Sequence, residues 1–442
     1  MALIYLANLE GKSTPSDVAG KFKTIHFPMG LGIISGVLQT TEHKVRVVDN
    51  YVSGITTQDI LAEFASAKPD YICLSGFLGN YQYPYIKRAS GQIKTACPES
   101  ILIIGGPMAT TIPELLLDYS EINFVVLGEG EETILDLLDA LERDRPVSDV
   151  PGIAFRDEDG CVRRTAPRLR MKDLSKYPLP DYELFDMASY VEYLKEFDRC
   201  WEISTSRGCY ARCSYCKLTF GNKITFRQVD HVVAEMSLIK KQFRIDRFNF
   251  VDDNFLNSPR QVDEMADGLR QCSDNFQFRF QGRADRINKN LAKTLKDVGC
   301  FDISYGLESG SQKIIDDMGK SLDVKKAEEN LKSVVDDSGL NVHATFIIGM
   351  PLENDETIAE TKNYIRRIGL PNFSAGILTP FPDTQIYKHA KDQGLIEDDN
   401  IYCDNLGTVY DDVYVNLTQF DNERIRDWRN EINGSKVDHY EF

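Results

Sequence analysis

No stretch of about 18 consecutive apolar residues occurs in this 442-residue chain, so a membrane-spanning helix is not expected. The opening run MALIYLANLEGKS has only a short apolar stretch with no cleavage-like site after it, so a secretory leader is not expected either. Cysteine is scarce. Ten residues are too few for a disulfide framework in a chain of this length, and the reading is a cytoplasmic protein with reduced thiols. Positive charge is deficient: 51 Lys and Arg against 68 Asp and Glu give a net charge of −17. That balance argues against a generic nucleic-acid binder, though not against a local basic pocket. No short internal repeat and no low-complexity tract interrupts the chain. What remains is globular, with 42% hydrophobic and 27% charged residues. The length suggests roughly three domains.

Residues 1–145 alternate apolar strands with helical patterns. Strands are expected at 3–9, 44–51, 70–77, 100–107 and 122–131, and helices at 84–97 and 132–144. Buried strands separated by helices imply α/β architecture with a doubly wound, Rossmann-like parallel sheet. Ligands of such sheets bind beyond the carboxyl ends of the strands, here Ser75-Gly76, Gly105-Gly106 and Gly128-Glu129-Gly130. Neither GxGxxG after the first strand nor GxxxxGK[ST] is present, so dinucleotide and triphosphate binding are poor readings. Residues 146–195 are proline-punctuated and read as a linker packed on a surface, with a hairpin at 150–165 turning at Glu158-Asp159-Gly160. From 196 to 390 the alternation resumes. Six strands, at 201–206, 247–253, 276–283, 302–308, 342–349 and 373–379, suggest a partial (β/α)6 barrel. Residues 391–442 form an acidic, tyrosine-rich C-terminal segment with a helix near 422–432.

Three of the ten cysteines stand together in TSRGCYARCSYCKLT, as Cys209, Cys213 and Cys216. They fall in the loop after the first barrel strand, at the face where barrel enzymes place catalytic loops. Three thiolates this close can converge on one metal centre. Structural zinc wants four protein ligands, typically from two separated pairs, and His231 and Cys272 are isolated. A four-iron cluster also needs four ligands, and three from the protein leave one iron open.

With Tyr215 before the last cysteine, the CxxxCxxC triplet resembles the hallmark of the radical S-adenosylmethionine (SAM) superfamily. The resemblance implies a 4Fe-4S cluster on Cys209, Cys213 and Cys216, its open iron chelated by the amino and carboxylate groups of SAM. Electron transfer then cleaves SAM to methionine and a 5′-deoxyadenosyl radical. The resemblance carries SAM contacts to further positions besides Tyr215. Asp253 in FNFVDDNF would meet the SAM ammonium, although Asp252-Asp253-Asn254 replaces the Gly-Gly-Glu common there. Arg283 in FRFQGRAD would pair with the carboxylate, and Glu308 and Ser309 in YGLESGS with the ribose or amino group. Gly349 in FIIGMPLE would admit the adenine ring.

The first domain extends the likeness. FPMGLGIISGVL (27–38), HKVRVVDNY (43–51), IIGGPMATTIPE (103–114), VVLGEGEETILDLL (125–138) and YPLPDYELF (177–185) are similar to the cobalamin (B12)-binding radical SAM enzymes. The likeness spans about residues 1–390. It implies cobalamin contacts at Ser75, Gly76, Gly105, Gly106, Gly128, Glu129 and Gly130, with Met29, Gly30 and Leu31 against the corrin face. No Asp-x-His-x-x-Gly run exists, and His26 and His43 lie outside such a context, so no protein histidine is expected on cobalt.

These features imply a methyltransferase acting on an unactivated carbon, or on phosphorus, of a small-molecule or peptide substrate. One SAM would supply the methyl group through cobalamin and a second the radical, with an external electron donor such as flavodoxin or ferredoxin. The alternatives are a cobalamin-dependent radical enzyme that forms rings, rearranges or oxidises without methylating, and a radical SAM enzyme whose cobalamin domain is vestigial. A non-catalytic cobalamin carrier would not need the cysteines. A methylthiotransferase acting on RNA would call for a second cysteine triplet and a basic extension, and neither is present. Tyr402, Tyr410 and Tyr414 are read as packing aromatics ahead of substrate contacts.

Overall fold

The computed structural model describes residues 1–9 and 25–434. Residues 10–13 of the opening run and the last eight positions of the 391–442 segment lie outside the described residues. The chain divides into two compact units, Met1–Arg199 with Asp398–Gly407, and Cys200–Glu397 with Thr408–Phe442.

The first unit is built on one sheet of seven strands: β1 (Leu3–Asn8), β2 (Lys44–Asp49), β3 (Tyr71–Ser75), β4 (Ile101–Gly105), β5 (Phe124–Val126), β6 (Ile153–Arg156) and β7 (Val162–Arg164). Their order is β2-β1-β3-β4-β5-β6-β7. The strands from β2 to β5 pair in parallel. Helices on both faces leave Ile4, Leu6, Ile72, Leu102 and Ile104 buried, which is why these strands read as near-continuous apolar runs. The winding reverses between β1 and β3, and in doubly wound sheets such a switch point is where a crevice forms at the carboxyl ends. The hairpin at 150–165 is present, and its outer strand is largely exposed. β6 and β7 join the edge of β5 as antiparallel strands, so part of the proline-punctuated stretch completes the sheet.

The rest of that stretch is fixed to helix Met29–Leu38. Phe27 meets the rings of Tyr182, Phe185 and Tyr190 at centroid distances of 5.5, 4.8 and 5.6 Å. Ser35 Oγ accepts the Asp181 amide at 2.9 Å, and Tyr190 donates its hydroxyl to Asp49 Oδ2 at 2.6 Å. Gly36 is required there, because a Cβ would sit 2.6 Å from the carbonyl oxygens of both Pro178 and Leu179.

The second unit holds β8 (Trp201–Ile203), a short antiparallel pair β9 (Ser206–Arg207) and β10 (Thr225–Phe226), then β11 (Arg247–Phe250), β12 (Gln277–Gly282), β13 (Cys300–Glu308), β14 (Asn341–Ile348) and β15 (Asn372–Ile377). Six of these form a parallel sheet in the order β15-β14-β13-β12-β11-β8, which matches the expected six β/α units. Strand alternation separates two environments. Phe248, Phe250, Phe278 and Phe280 are buried on one face, and Phe250 stacks on Phe278 at 4.9 Å. The opposite face is polar. Asn249, Arg279 and Asp302 lie in register, and so do Gln281, Ser304, His343 and Asn372. The open edge at β15 is covered by helix Asn422–Asn433. The Asn433 side-chain amide accepts from the Ala375 amide at 2.8 Å and donates to the Ala375 carbonyl at 3.0 Å, as a neighbouring strand would.

Gly36→Val is expected to destabilise the first unit by about 1–3 kcal/mol, since the rigid backbone of Pro178 and Leu179 has to move. A lowered urea midpoint with an unchanged slope checks this, and an unchanged midpoint contradicts the docking.

Candidate functional site

The cysteine loop begins where β8 ends, and two carboxylates at the end of β11, buried Asp252 and exposed Asp253, anchor it. Asp252 accepts the Thr205 amide at 2.6 Å, the Thr205 hydroxyl, and the Ser206 hydroxyl at 2.8 Å. Asp253 accepts the Gly208 amide at 2.8 Å, and Asn257 donates to the Gly208 carbonyl at 2.9 Å. The β9–β10 pair closes the base of the loop, and the Asn222 side-chain amide donates to the Ala211 carbonyl at 2.7 Å. The expected strand at 201–206 is therefore broken, because Ser206 and Arg207 leave the main sheet to form this base.

Cys209, Cys213 and Cys216 line one cavity of about 600 Å³. Its walls also carry Tyr215, Asp253, Arg283 and Glu308, so the structure gathers these sequence-derived candidates. Burial pushes the Cys209 thiol up. Cys216 is exposed by area, yet the atoms packed around its sulfur, followed by Cys213, Asp253 and Cys209, push its thiol up to about 12. Thiolates here thus call for a bound cation. Among the described residues no three His, Cys, Asp or Glu side chains stand ready-made around a metal ion. The cavity wall holds three thiols, no histidine and no fourth cysteine. That donor set fits a centre that takes its remaining ligand from a small molecule.

A second cation lining this cavity, Lys320, is one that sequence reasoning missed. Its Nζ donates to Glu308 Oε1 at 2.8 Å and to the Tyr215 hydroxyl at 3.3 Å, and Tyr215 donates to the same Glu308 oxygen at 2.8 Å. Glu308 is forced over the cavity by its backbone. It adopts φ +66° beyond a register shift in β13, and a Cβ on Gly306 would lie 2.4 Å from its Oε1. Arg283, read above as a carboxylate partner, lines the same cavity and is also tied to its neighbours. It donates to Asp285 Oδ1 at 3.0 Å and to the carbonyls of Lys320 and Ser321 at 3.0 and 3.1 Å. It thereby holds the turn that presents Lys320. No spacing rule ties Lys320 to β13, so only the fold reveals it.

Two candidates sit behind the wall. Ser309 is 1% exposed, lies 3.2 Å from Thr361 Oγ1, and accepts the Ser311 amide. Gly349 turns at φ +102° and donates its amide to Glu353 Oε2 at 2.6 Å, while Phe346 and Ile347 line the cavity in its place. Tyr410, read as a packing residue, lines the cavity beside Asp411. Its carbonyl accepts from the Ile377 amide at 2.7 Å, and Gly376 leaves room for its side chain.

In the first unit, Gly30, Ser75, Gly76 and Gly106 converge at the carboxyl ends. A Cβ on Gly30 would meet Ser75 Oγ at 3.8 Å, and one on Gly106 would meet Ser75 Oγ and the Gly76 carbonyl at 3.1 Å. Gly130 lies by Ile34, and Gly128 donates its amide to Thr110 Oγ1 at 2.9 Å. Gly105 neighbours Val126. At the start of helix Met29–Leu38, Met29 is half-buried and Leu31 buried. Glu129 is 8% exposed and accepts the Met171 amide at 2.7 Å, with Arg170 at 3.5 Å. Its carboxylate is thereby engaged with Arg170 and Met171.

Burial pushes the Glu353 carboxyl up to about 7 from its ordinary 4.5, against the amides of Gly349 and Met350. Below pH 4.5 the group is protonated in both the folded and the unfolded chain. As pH rises towards 7 the unfolded chain releases its proton first, so stability falls across that window. The second unit should lose on the order of 3 kcal/mol between pH 4.5 and 8 from this group. Urea midpoints compared across that range should show the fall, and Glu353→Gln should flatten it. An equal slope in both proteins would contradict the assignment.

Each of the two units contains a match to a known protein family. A model of the B12 binding domain matches residues 15–138, and a model of the Radical SAM superfamily matches residues 203–365. An uncharacterised methyltransferase of Pyrococcus horikoshii is 28% identical over 368 residues, 82% of this chain and 78% of that one. The cytidylyl-2-hydroxyethylphosphonate methyltransferase of Streptomyces wedmorensis is 25% identical, covering 84% of this chain and 79% of its own. The radical SAM methyltransferase TsrM of Kitasatospora setae, solved with cobalamin and a 4Fe-4S cluster, shares the fold with a TM-score of 0.72 at 18% identity, over 89% of this chain and 75% of that one. The cobalamin-dependent radical enzyme OxsB does so with a TM-score of 0.71 at 19% identity, over 98% of this chain and 62% of that one. With its B12-binding domain followed by a radical SAM domain, the chain is built as the cobalamin-binding radical SAM enzymes are.

Proposed function

We propose that the protein is a cobalamin-dependent radical SAM methyltransferase acting on an unactivated carbon, or phosphorus, of a small-molecule or peptide substrate. The observation that carries this reading is the cavity that joins three thiols to a buried Lys320–Glu308 pair, in a chain that also bears a B12-binding domain. The methyltransferase names of the first two relatives support the methylating outcome. Bound in place, the cluster and SAM supply a 5′-deoxyadenosyl radical, and the corrinoid supplies a transferable methyl group.

This chain's residues bind, orient and exclude water. Cys209, Cys213 and Cys216 would hold the cluster. Tyr215 and Lys320 grip one oxygen of Glu308, which leaves the other to receive a donor from SAM. Lys320 has a third N–H to offer an anionic group, and Arg283 keeps it in place through the Lys320 and Ser321 carbonyls. Such a buried opposite-charge couple complements the ammonium and carboxylate that a bound amino acid brings. Asp253 stands on the same wall, and Phe346 and Ile347 give the adenine an apolar surface. At the first domain's crevice, Gly30, Ser75, Gly76, Gly105, Gly106, Gly128 and Gly130 would let a corrinoid approach the backbone closely. Radical hydrogen abstraction needs no protein base, and the reading assigns none. Reducing equivalents would come from a flavodoxin- or ferredoxin-type donor.

Anaerobic reconstitution with iron, sulfide and hydroxocobalamin, followed by turnover with SAM and a strong reductant, tests the proposal. Methylated product with both S-adenosylhomocysteine and 5′-deoxyadenosine is the expected result. 5′-Deoxyadenosine without S-adenosylhomocysteine would point to the ring-forming chemistry in the names of other relatives, the anaerobic magnesium-protoporphyrin ester cyclases. Cys213→Ala should abolish both products. Lys320→Met and Glu308→Gln should each weaken SAM binding by about tenfold, the worth of one charge-assisted contact, with iron content unchanged. SAM affinity equal to the parent protein's would remove this pair from the site.

A further inference from the structure

We infer that residues 398–407 are the positioning element for the ligand loop beside the switch point of the first domain. The sequence leaves this segment inside an acidic tail, without a role. In space it departs from its sequence neighbours: Asp398–Gly407 clusters with residues 1–199, while Glu397 and Thr408 belong to the second unit.

The segment is anchored on helix Gln82–Ala96 through its own short helix, Asp399–Asp404. Tyr83 donates its hydroxyl to Asn400 Oδ1 at 2.9 Å. Lys87 Nζ donates to Asn400 Oδ1 at 3.1 Å and pairs with Asp404 Oδ1 at 2.6 Å. Cys403 and Leu406 are each 1% exposed, so the contact has an apolar core beneath its polar anchors.

Past the anchor, the segment gives two backbone carbonyls to the loop that follows β3. Gly407 O accepts from the Asn80 amide at 2.6 Å, and Leu406 O accepts from the Tyr81 amide at 2.9 Å. Those amides belong to an unusual run. Gly79, Asn80 and Tyr81 have φ of +113°, +51° and +56°, three left-handed residues in succession. For residues with a side chain that conformation persists only where the surroundings impose it. The imposed contact is close: a Cβ on Gly407 would lie 2.7 Å from the ring of Tyr81.

The run closes the loop that starts at Ser75 and Gly76, beside the crevice between β1 and β3. The loop is turned outward there. Its Phe77 is 38% exposed, and the Phe77 amide is held by Gln82 Oε1 at 2.6 Å. Partners more than 300 positions away therefore set the shape of this ligand-facing loop. The identity of the ligand as a corrinoid rests on the function proposed above, whereas the clamp does not.

The test uses the full-length reconstituted protein and two variants, Lys87→Met, which cuts the anchor, and Gly407→Val, which wedges the Tyr81 ring. In the cobalamin-free protein, both variants should raise amide hydrogen exchange at Asn80 and Tyr81 by about tenfold or more. The dissociation constant for hydroxocobalamin should rise by about tenfold, while SAM affinity and iron content stay within about twofold of the parent. Faster exchange with hydroxocobalamin affinity unchanged would overturn the positioning role, and unchanged exchange would overturn the clamp itself. A parent protein that binds no hydroxocobalamin would overturn the corrinoid reading and, with it, the ligand assigned to this loop. The exchange measurement decides the clamp in that case too.

Discussion

A carboxylate with almost no access to solvent holds the second domain's chemistry in place. Asp252 is 5% exposed, and the amide and hydroxyl of Thr205 and the hydroxyl of Ser206 all donate to it. Burying an ionised carboxyl is costly unless its oxygens are satisfied, and burial indeed raises its proton affinity while these donors lower it. The consequence is positional. The chain leaves β8 after Ile203, is held at Thr205 and Ser206 by Asp252 beyond the end of β11, and begins the cysteine loop at Gly208, where Asp253 takes the next amide. The cavity wall formed by the three thiols depends on that departure.

The same economy of donors separates the roles of the two cations that line the cavity. Arg283 and Lys320 are both buried cations near the three cysteines, and either could in principle meet an anionic group. The guanidinium is planar with a fixed fork of donors, and here the fork is matched to Asp285 and two carbonyls. The ammonium on its flexible stem is left to share Glu308 with Tyr215. Arg283 at a strand end thus supports the turn at Lys320, and Lys320, twelve positions beyond Glu308, pairs with that carboxylate.

Much of this molecule is legible in its residues. The alternation of apolar strands with helices places two parallel sheets in the right order, because a strand buried on both faces has to be apolar throughout. The CxxxCxxC spacing places three thiols on one loop, because so short a connection cannot scatter them. Glycines at strand ends mark the crevice of the first domain, since the backbone there must come close to its neighbours. Less legible are residues whose role depends on a side chain's final direction. Ser309 follows Glu308 directly, yet it turns to Thr361 behind the wall, because the left-handed backbone at Glu308 redirects the chain. Glu129 stands between two crevice glycines and still turns to Met171.

Local pattern determined the fold class, the two-domain order, the cysteine loop and the strand ends beside it, because these follow from periodicity and short-range spacing. Tertiary structure decided what those patterns could not express. It paired Lys320 with Glu308, brought Tyr410 to the cavity, placed the 153–164 hairpin in the sheet, and set residues 398–407 against the loop after β3. Each of these outcomes pairs groups that are far apart in the chain. The distances at which hydrogen bonds and ion pairs act, about 3 Å, are met only after the intervening sheets have formed.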